Sequence, residues 1–193
     1  MAITKLDSNP KLFEGQGDLV IFSEISDYTN KTLAALVSPT SLGQIVQDST
    51  TWEGEDVSTD QILDEQGNVI TAHVTAGTLG FSFDIASTSK TMITTFLKGA
   101  AIETPGNLDL FGSTAEAVGD VTGFGVDVPV ITRPIAVLNS EKNRAWIYPK
   151  AKITANLALA DGLYRIHAVV VAEQVDQPKL KTAMVVEKAV SNG

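Results

Sequence analysis

The stretch from Asn68 to Lys98 constrains the fold most, because it reads as a β-hairpin that runs directly into a helix. Gly77-Thr78 has the chemistry of a two-residue type II′ turn, whose first position takes a positive φ that glycine adopts without a steric penalty. With those two residues as the loop, Ala76 faces Leu79, Val74 faces Phe81, Ala72 faces Phe83 and Ile70 faces Ile85, so one face is wholly apolar. The other face sets Thr75 against Gly80, His73 against Ser82 and Thr71 against Asp84. Beyond the ribbon, Ser87, Thr88 and Ser89 offer N-cap oxygens, and Met92, Ile93, Phe96 and Leu97 recur at helical spacing. Lys98-Gly99 then supplies a cationic last turn and a glycine stop. Thr91, Thr94 and Thr95 are weak helix formers, so the helix needs a sheet to lie on.

The C-terminal half repeats the design. Asp161-Gly162 is a type I′ turn signal that sets Leu159 against Tyr164, Leu157 against Ile166, Ala155 against Ala168 and Ile153 against Val170. Asp18 to Ser23 reads as a short apolar strand, Thr32 to Val37 as a single helical turn, and Leu42 to Thr51 as a strand ending at Trp52. Gln61 to Leu63 can pair with Val69 and Ile70 across Asp64-Glu65-Gln66-Gly67; a short helix capped by Ser58 is the rival reading. Val128 to Leu138 returns to strand character, and its Pro129 and Pro134 suit an edge or a bulge. Asn139 to Asn143 and Gln174 to Lys179 read as turns, with Thr182 to Glu187 as the last strand. The expectation is one domain over residues 1–193, mainly β, built as an antiparallel β-sandwich or partly closed barrel flanked by one α-helix. Its irregular parts are an N-terminal arm (residues 1–16), an exposed acidic loop (53–66) and a long Gly-rich loop (100–127).

Charge is spread unevenly. The chain is −9 overall, yet Thr32 to Ser89 holds eight acids and no lysine or arginine, whereas from Arg133 onward nine basic residues face five acids. Such a division suits either an ordinary solvated acidic surface or a self-complementary subunit whose acidic region meets a neighbour's basic region. Tight nucleic-acid binding is disfavoured, because phosphate contacts need clustered cations. The longest aliphatic run, Ala168 to Ala172, is strand-sized, and no membrane-spanning stretch is present. With no apolar leader at the N-terminus and no cysteine, an intracellular place of synthesis is the expectation.

Catalytic patterns are missing. Two histidines and no cysteine make a zinc site unpromising, and His73 and His167 each fall on the polar face of a hairpin, where a structural role is the simpler reading. Gly123-Phe124-Gly125 lacks the third glycine and the following helix of a dinucleotide fingerprint. Glu53 and Glu55 flank a glycine in an acidic loop, which is not the rigid pair of carboxylates a glycosidase needs. Trp52, Tyr28, Trp146 and Tyr148 fit core or interface packing better than sugar or base stacking. No enzyme and no cofactor or metal is expected.

The order of parts resembles the tail tube protein, or major tail protein, of long-tailed bacteriophages. The resemblance rests on Leu42-Gly43, on Trp52-Glu53-Gly54 opening an acidic loop, on the hairpin at Gly67, on the alternating strands from Val69 to Ile85, on the helix from Ser87 to Lys98, and on closing strands through Val186. It implies a structural virion subunit that assembles, in the host bacterial cytoplasm, into stacked hexameric rings forming the tail conduit for DNA ejection. The implied partners are copies of itself, the tape-measure protein and the tail terminator or distal tail proteins, with DNA passing as loosely held cargo and no membrane. In this picture Glu53, Glu55, Asp56 and Asp60 reach Lys142, Arg144, Lys150 and Lys152 of a neighbour, while Thr71, His73, Ser82 and Asp84 face the lumen. The alternatives are another virion component, such as a trimeric capsid decoration protein, and a carbohydrate-binding β-sandwich module.

Overall fold

The computed structural model describes residues 17–43, 45–53, 58–63, 69–75, 77–102, 107–108, 116–117, 121–125 and 129–189. In chain order, β1 (Leu19–Ile21), a 3-10 turn (Leu33–Ala35), β2 (Thr40–Ser41) and β3 (Thr51–Glu53) precede the hairpin of β4 (Ser58–Leu63) and β5 (Val69–Thr75). β6 (Gly80–Ile85) leads into α1 (Lys90–Phe96). The short strands β7 (Ala100–Ala101), β8 (Asn107–Leu108), β9 (Glu116–Ala117) and β10 (Thr122–Gly123) follow, so residues 100–127 carry only two-residue strands where they are described. The long strands β11 (Val130–Leu138), β12 (Arg144–Ala160) and β13 (Leu163–Ala172) come next, and β14 (Asp176–Gln177), β15 (Leu180–Lys181) and β16 (Met184–Glu187) close the chain.

Among the described residues the fold is mainly β and antiparallel, with one α-helix, and its principal sheet is not a closed barrel. That sheet has the order β2-β1-β11-β12-β13-β6-β3, with β16 beside the first residues of β12. The 17-residue strand β12 organises it. Its pairing with β11 slips between Arg133 and Ile135, where two steps along β11 match three along β12, from Tyr148 to Ala151. This is a β-bulge, placed where Pro134 and Pro149 each lack a backbone donor. Its effect is to reverse the facing of the strand, so that Tyr148 on one side of the bulge and Ala151, Ile153 and Ala155 on the other all enter the core.

The core joins Leu19, Ile21, Ile135, Val137 and Tyr148 with Phe81, Phe83, Ile85, Ile166, Ala168 and Val170, and α1 closes it with Phe96 and Leu97. Alternation explains the sheet: Phe81, Phe83 and Ile85 are fully buried while Ser82 and Asp84 turn to the opposite face. The helix begins where Ser89 Oγ accepts from the Met92 amide at 3.4 Å. At its end the amides of Leu97 and Gly99 both donate to Ile93 O, and Lys98 takes the left-handed conformation (φ 48°) expected of the glycine. Gly99 serves closeness instead, since a Cβ there would lie 2.7 Å from Ile93 Cγ2.

The Asp161-Gly162 hairpin has the expected register throughout, with φ of 53° and 76° at the two turn residues as a type I′ turn requires. The Gly77-Thr78 hairpin does not form. β6 is flanked by β13 on one side and β3 on the other, with Phe81 opposite Val170 and Trp52, and both of its edges are taken. β5 pairs instead with β4, from Ser58 opposite Thr75 to Leu63 opposite Val69. A strand that buries three large apolar residues gains most beside the ten-residue β13, and β5 closes a shorter loop by pairing backward. Gln61 to Leu63 therefore form a strand with Val69 and Ile70 as expected, while the acidic loop is shorter than expected because Glu53 and residues 58–63 lie on strands. Leu42 to Thr51 is not a strand: Ile45 makes an isolated bridge to Ile85, and regular pairing resumes at Thr51.

Candidate functional site

The polar face of β6 and β13 carries a connected side-chain network. Asp84 and His167 sit directly opposite each other in the ladder, with His167 Nδ1 2.7 Å from Asp84 Oδ1. Arg165, two residues back on the same face of β13, brings Nη1 to 3.6 Å from Asp84 Oδ2 and donates from Nη2 to Asp161 Oδ2 at 2.9 Å. The Asp84 amide donates to Ser49 Oγ at 3.0 Å, and Ser82 Oγ donates to Glu53 Oε1 at 2.6 Å. Asn156 lies across from His167 on β12, as the sequence indicates. The arrangement pins β3, β6, β13 and the hairpin turn together; each partly exposed ion pair is worth about 0.2–1 kcal/mol. The Ser82–Glu53 hydrogen bond ties the edge strand β3 to β6. Among the described residues no group of three or more His, Asp or Glu side chains could hold a metal.

The four candidate interface cations all find carboxylates within their own chain. Lys142 pairs with Asp18 at 2.6 Å, Arg144 with Glu187 at 3.2 Å, and Lys150 and Lys152 with Glu173 at 3.1 and 2.6 Å. The Lys152 ammonium, with help from Lys150, holds the Glu173 carboxyl below its usual range. Lys150 also lies 5.7 Å over the Tyr28 ring, whose hydroxyl donates to Pro149 O at 3.1 Å, and burial pushes the Tyr28 phenol up.

Of the acidic candidates, Glu53 is on β3, and Asp60 is on β4 opposite His73 of β5. Glu55 and Asp56 lie outside the described residues. Of the four residues proposed to share a face, only Ser82 and Asp84 do so; Thr71, opposite Ile62, and His73 belong to the separate β4–β5 pair. Sequence reasoning missed Arg165, Asp161 and Glu173, whose roles depend on strand neighbours far apart in the chain; the −4 spacing from Arg165 to Asp161 around a tight turn was the one local signal.

No helix among the described residues is long and apolar enough to cross a membrane. Compared with known proteins, the chain matches no protein-family model and no curated protein.

Proposed function

We propose that this chain is a structural, self-assembling subunit of a bacteriophage tail tube, a conduit through which DNA passes without being gripped. One observation carries the reading: among the described residues the principal sheet is open, ending in β2 on one side and β3 on the other, while β4 and β5 form a pair of their own. Open edges carry unpaired backbone groups that a neighbour's strands satisfy, and a repeated contact of that kind closes into a ring. Two further features agree with it. Lys142, Arg144, Lys150 and Lys152 are each paired with a carboxylate of their own chain, and the chain carries a net charge of −9, which disfavours a grip on phosphate. The polar network on β6 and β13 fastens strands together, a structural role. In this reading the tape-measure protein and the tail terminator or distal tail proteins are the partners, and the virion tail is the destination.

Negative-stain microscopy of the concentrated protein, with light scattering alongside, tests it. Stacked rings or tubes are the expected outcome. Trimers would favour a capsid decoration protein, and a monomer that binds glycans would favour a carbohydrate-binding module.

A further inference from the structure

Asp161-Gly162, the turn between β12 and β13, has a reactivity that forming a turn leaves unused. It is the single Asp-Gly pair of the chain, and an aspartate followed by glycine is disposed to backbone isomerisation because no side chain shields the glycine nitrogen. The fold leaves the pair accessible. The Asp161 side chain is 84% exposed, and no atom lies within 4 Å of where a Cβ on Gly162 would stand. The turn also projects, since β11 stops pairing at Val130 opposite Thr154 and β6 stops at Ile85 opposite Ile166. One contact restrains it. Arg165 Nη2 donates to Asp161 Oδ2 at 2.9 Å, and the same guanidinium brings Nη1 to 3.6 Å from Asp84 Oδ2 on β6. The Arg165 side chain is only 15% exposed, so the Asp161 carboxyl group is tied to a fixed point on the sheet.

We propose that Asp161 is a site of spontaneous isomerisation to isoaspartate and that Arg165 sets its rate. In this reaction the Gly162 amide nitrogen attacks Cγ of Asp161. A nitrogen–carbon bond forms, one carboxylate oxygen leaves as water with the amide proton and a proton from solvent, and a five-membered succinimide remains. Water then opens the ring at either carbonyl, returning aspartate or giving isoaspartate, whose main chain runs through Cβ and Cγ. Ring closure needs the carboxyl carbon to swing onto the Gly162 nitrogen, with Asp161 leaving the left-handed well (φ 53°) that the type I′ turn holds. The bond to Arg165 opposes that swing, because the carboxyl oxygen must first be released. The product adds one backbone atom to a two-residue loop, so the turn can no longer keep type I′ geometry. The modification does not depend on the self-assembly proposed above.

The test is to age the whole folded protein at neutral pH and physiological temperature, then assay the tryptic peptide spanning Asp161 for isoaspartate by enzymatic methylation. Wild type should accumulate isoaspartate at Asp161 slowly, Arg165→Gln severalfold faster, and Arg165→Lys at a rate close to wild type. Asp161→Glu, whose longer side chain disfavours the ring, should form essentially none. Concentrated sodium chloride repeats the test without a substitution, because salt screens an exposed ion pair, and the wild-type rate should rise severalfold in it. If Arg165→Gln loses its cooperative melt, the salt arm decides. Equal rates in wild type and a folded Arg165→Gln, or a wild-type rate indifferent to salt, overturn the role of Arg165. Isoaspartate confined to other positions overturns the site.

Discussion

Phe81 and Tyr148 stack with ring centroids 5.9 Å apart, although their strands are separated in the sheet by β13. Tyr148 lies on the part of β12 that precedes its pairing with β13, and from the same part Trp146 reaches to 5.9 Å from Trp52 of the edge strand β3. A row of rings from Trp52 through Phe81 to Phe83 thus crosses the interior from the half-exposed sheet edge.

Phe83 is the inner end of that row and is fully buried. Phe83→Ala should cost about 3–5 kcal/mol, the usual range for emptying a phenylalanine site. Urea melts of the two proteins give the difference; a loss under about 1 kcal/mol would mean that the cavity collapses or that the site is wet.

The β4–β5 pair can be removed without cutting the principal sheet, because Glu53 and Gly80 are themselves ladder partners. Replacing residues 54 to 77 by Asn-Gly leaves a four-residue loop between them, an accepted hairpin length. The shortened chain should keep a cooperative melt and a β-type circular dichroism spectrum but lose assembly in light scattering. Normal assembly would remove the acidic segment from the subunit contacts.

Glu173 makes stability depend on acid pH. Its folded pKa lies below its ordinary 4.5, so the ion pairs with Lys150 and Lys152 contribute fully above that value and are lost as pH falls through the depressed folded value. Glu173→Gln should therefore cost under about 1 kcal/mol at pH 7, and the gap should narrow as pH falls below the ordinary 4.5 and through the depressed folded value. Urea midpoints at neutral and at acid pH measure it. An equal gap at both would assign the effect to packing.

A conduit must not hold its cargo. Titrating labelled duplex DNA with the assembled protein should give no micromolar binding in fluorescence anisotropy, at low salt or at physiological salt. Tight binding that weakens steeply as salt rises would indicate counterion release and a nucleic-acid-coating role instead.

Elements fixed by neighbouring residues were legible in the sequence. The Asp161-Gly162 hairpin, the Ser89 cap and the strand from Leu19 to Ile21 each follow from a few adjacent side chains, and all three form. Pro134 correctly announced an irregularity, and the bulge lies there. The misreading at Gly77-Thr78 has a different origin. Alternation in β5 and β6 specifies which residues share a face but not which strand lies alongside, and the choice was made by β13, far along the chain. The same limit hid the site network, since Asp84 meets His167 and Arg165 only after that choice.

Where the strands come from also dictates when the protein can fold. β1 waits for β11 and β6 waits for β13, so the first half of the chain emerges from the ribosome with Phe81, Phe83 and Ile85 lacking their partner strand. No core can close until the β12–β13 hairpin has been synthesised, and that hairpin, the most local long pairing, is the natural template for the rest. Folding is thus expected to start at the β12–β13 hairpin and to run backward to β6 and β1. A truncation before Ala172 should yield an aggregating fragment, not a smaller domain.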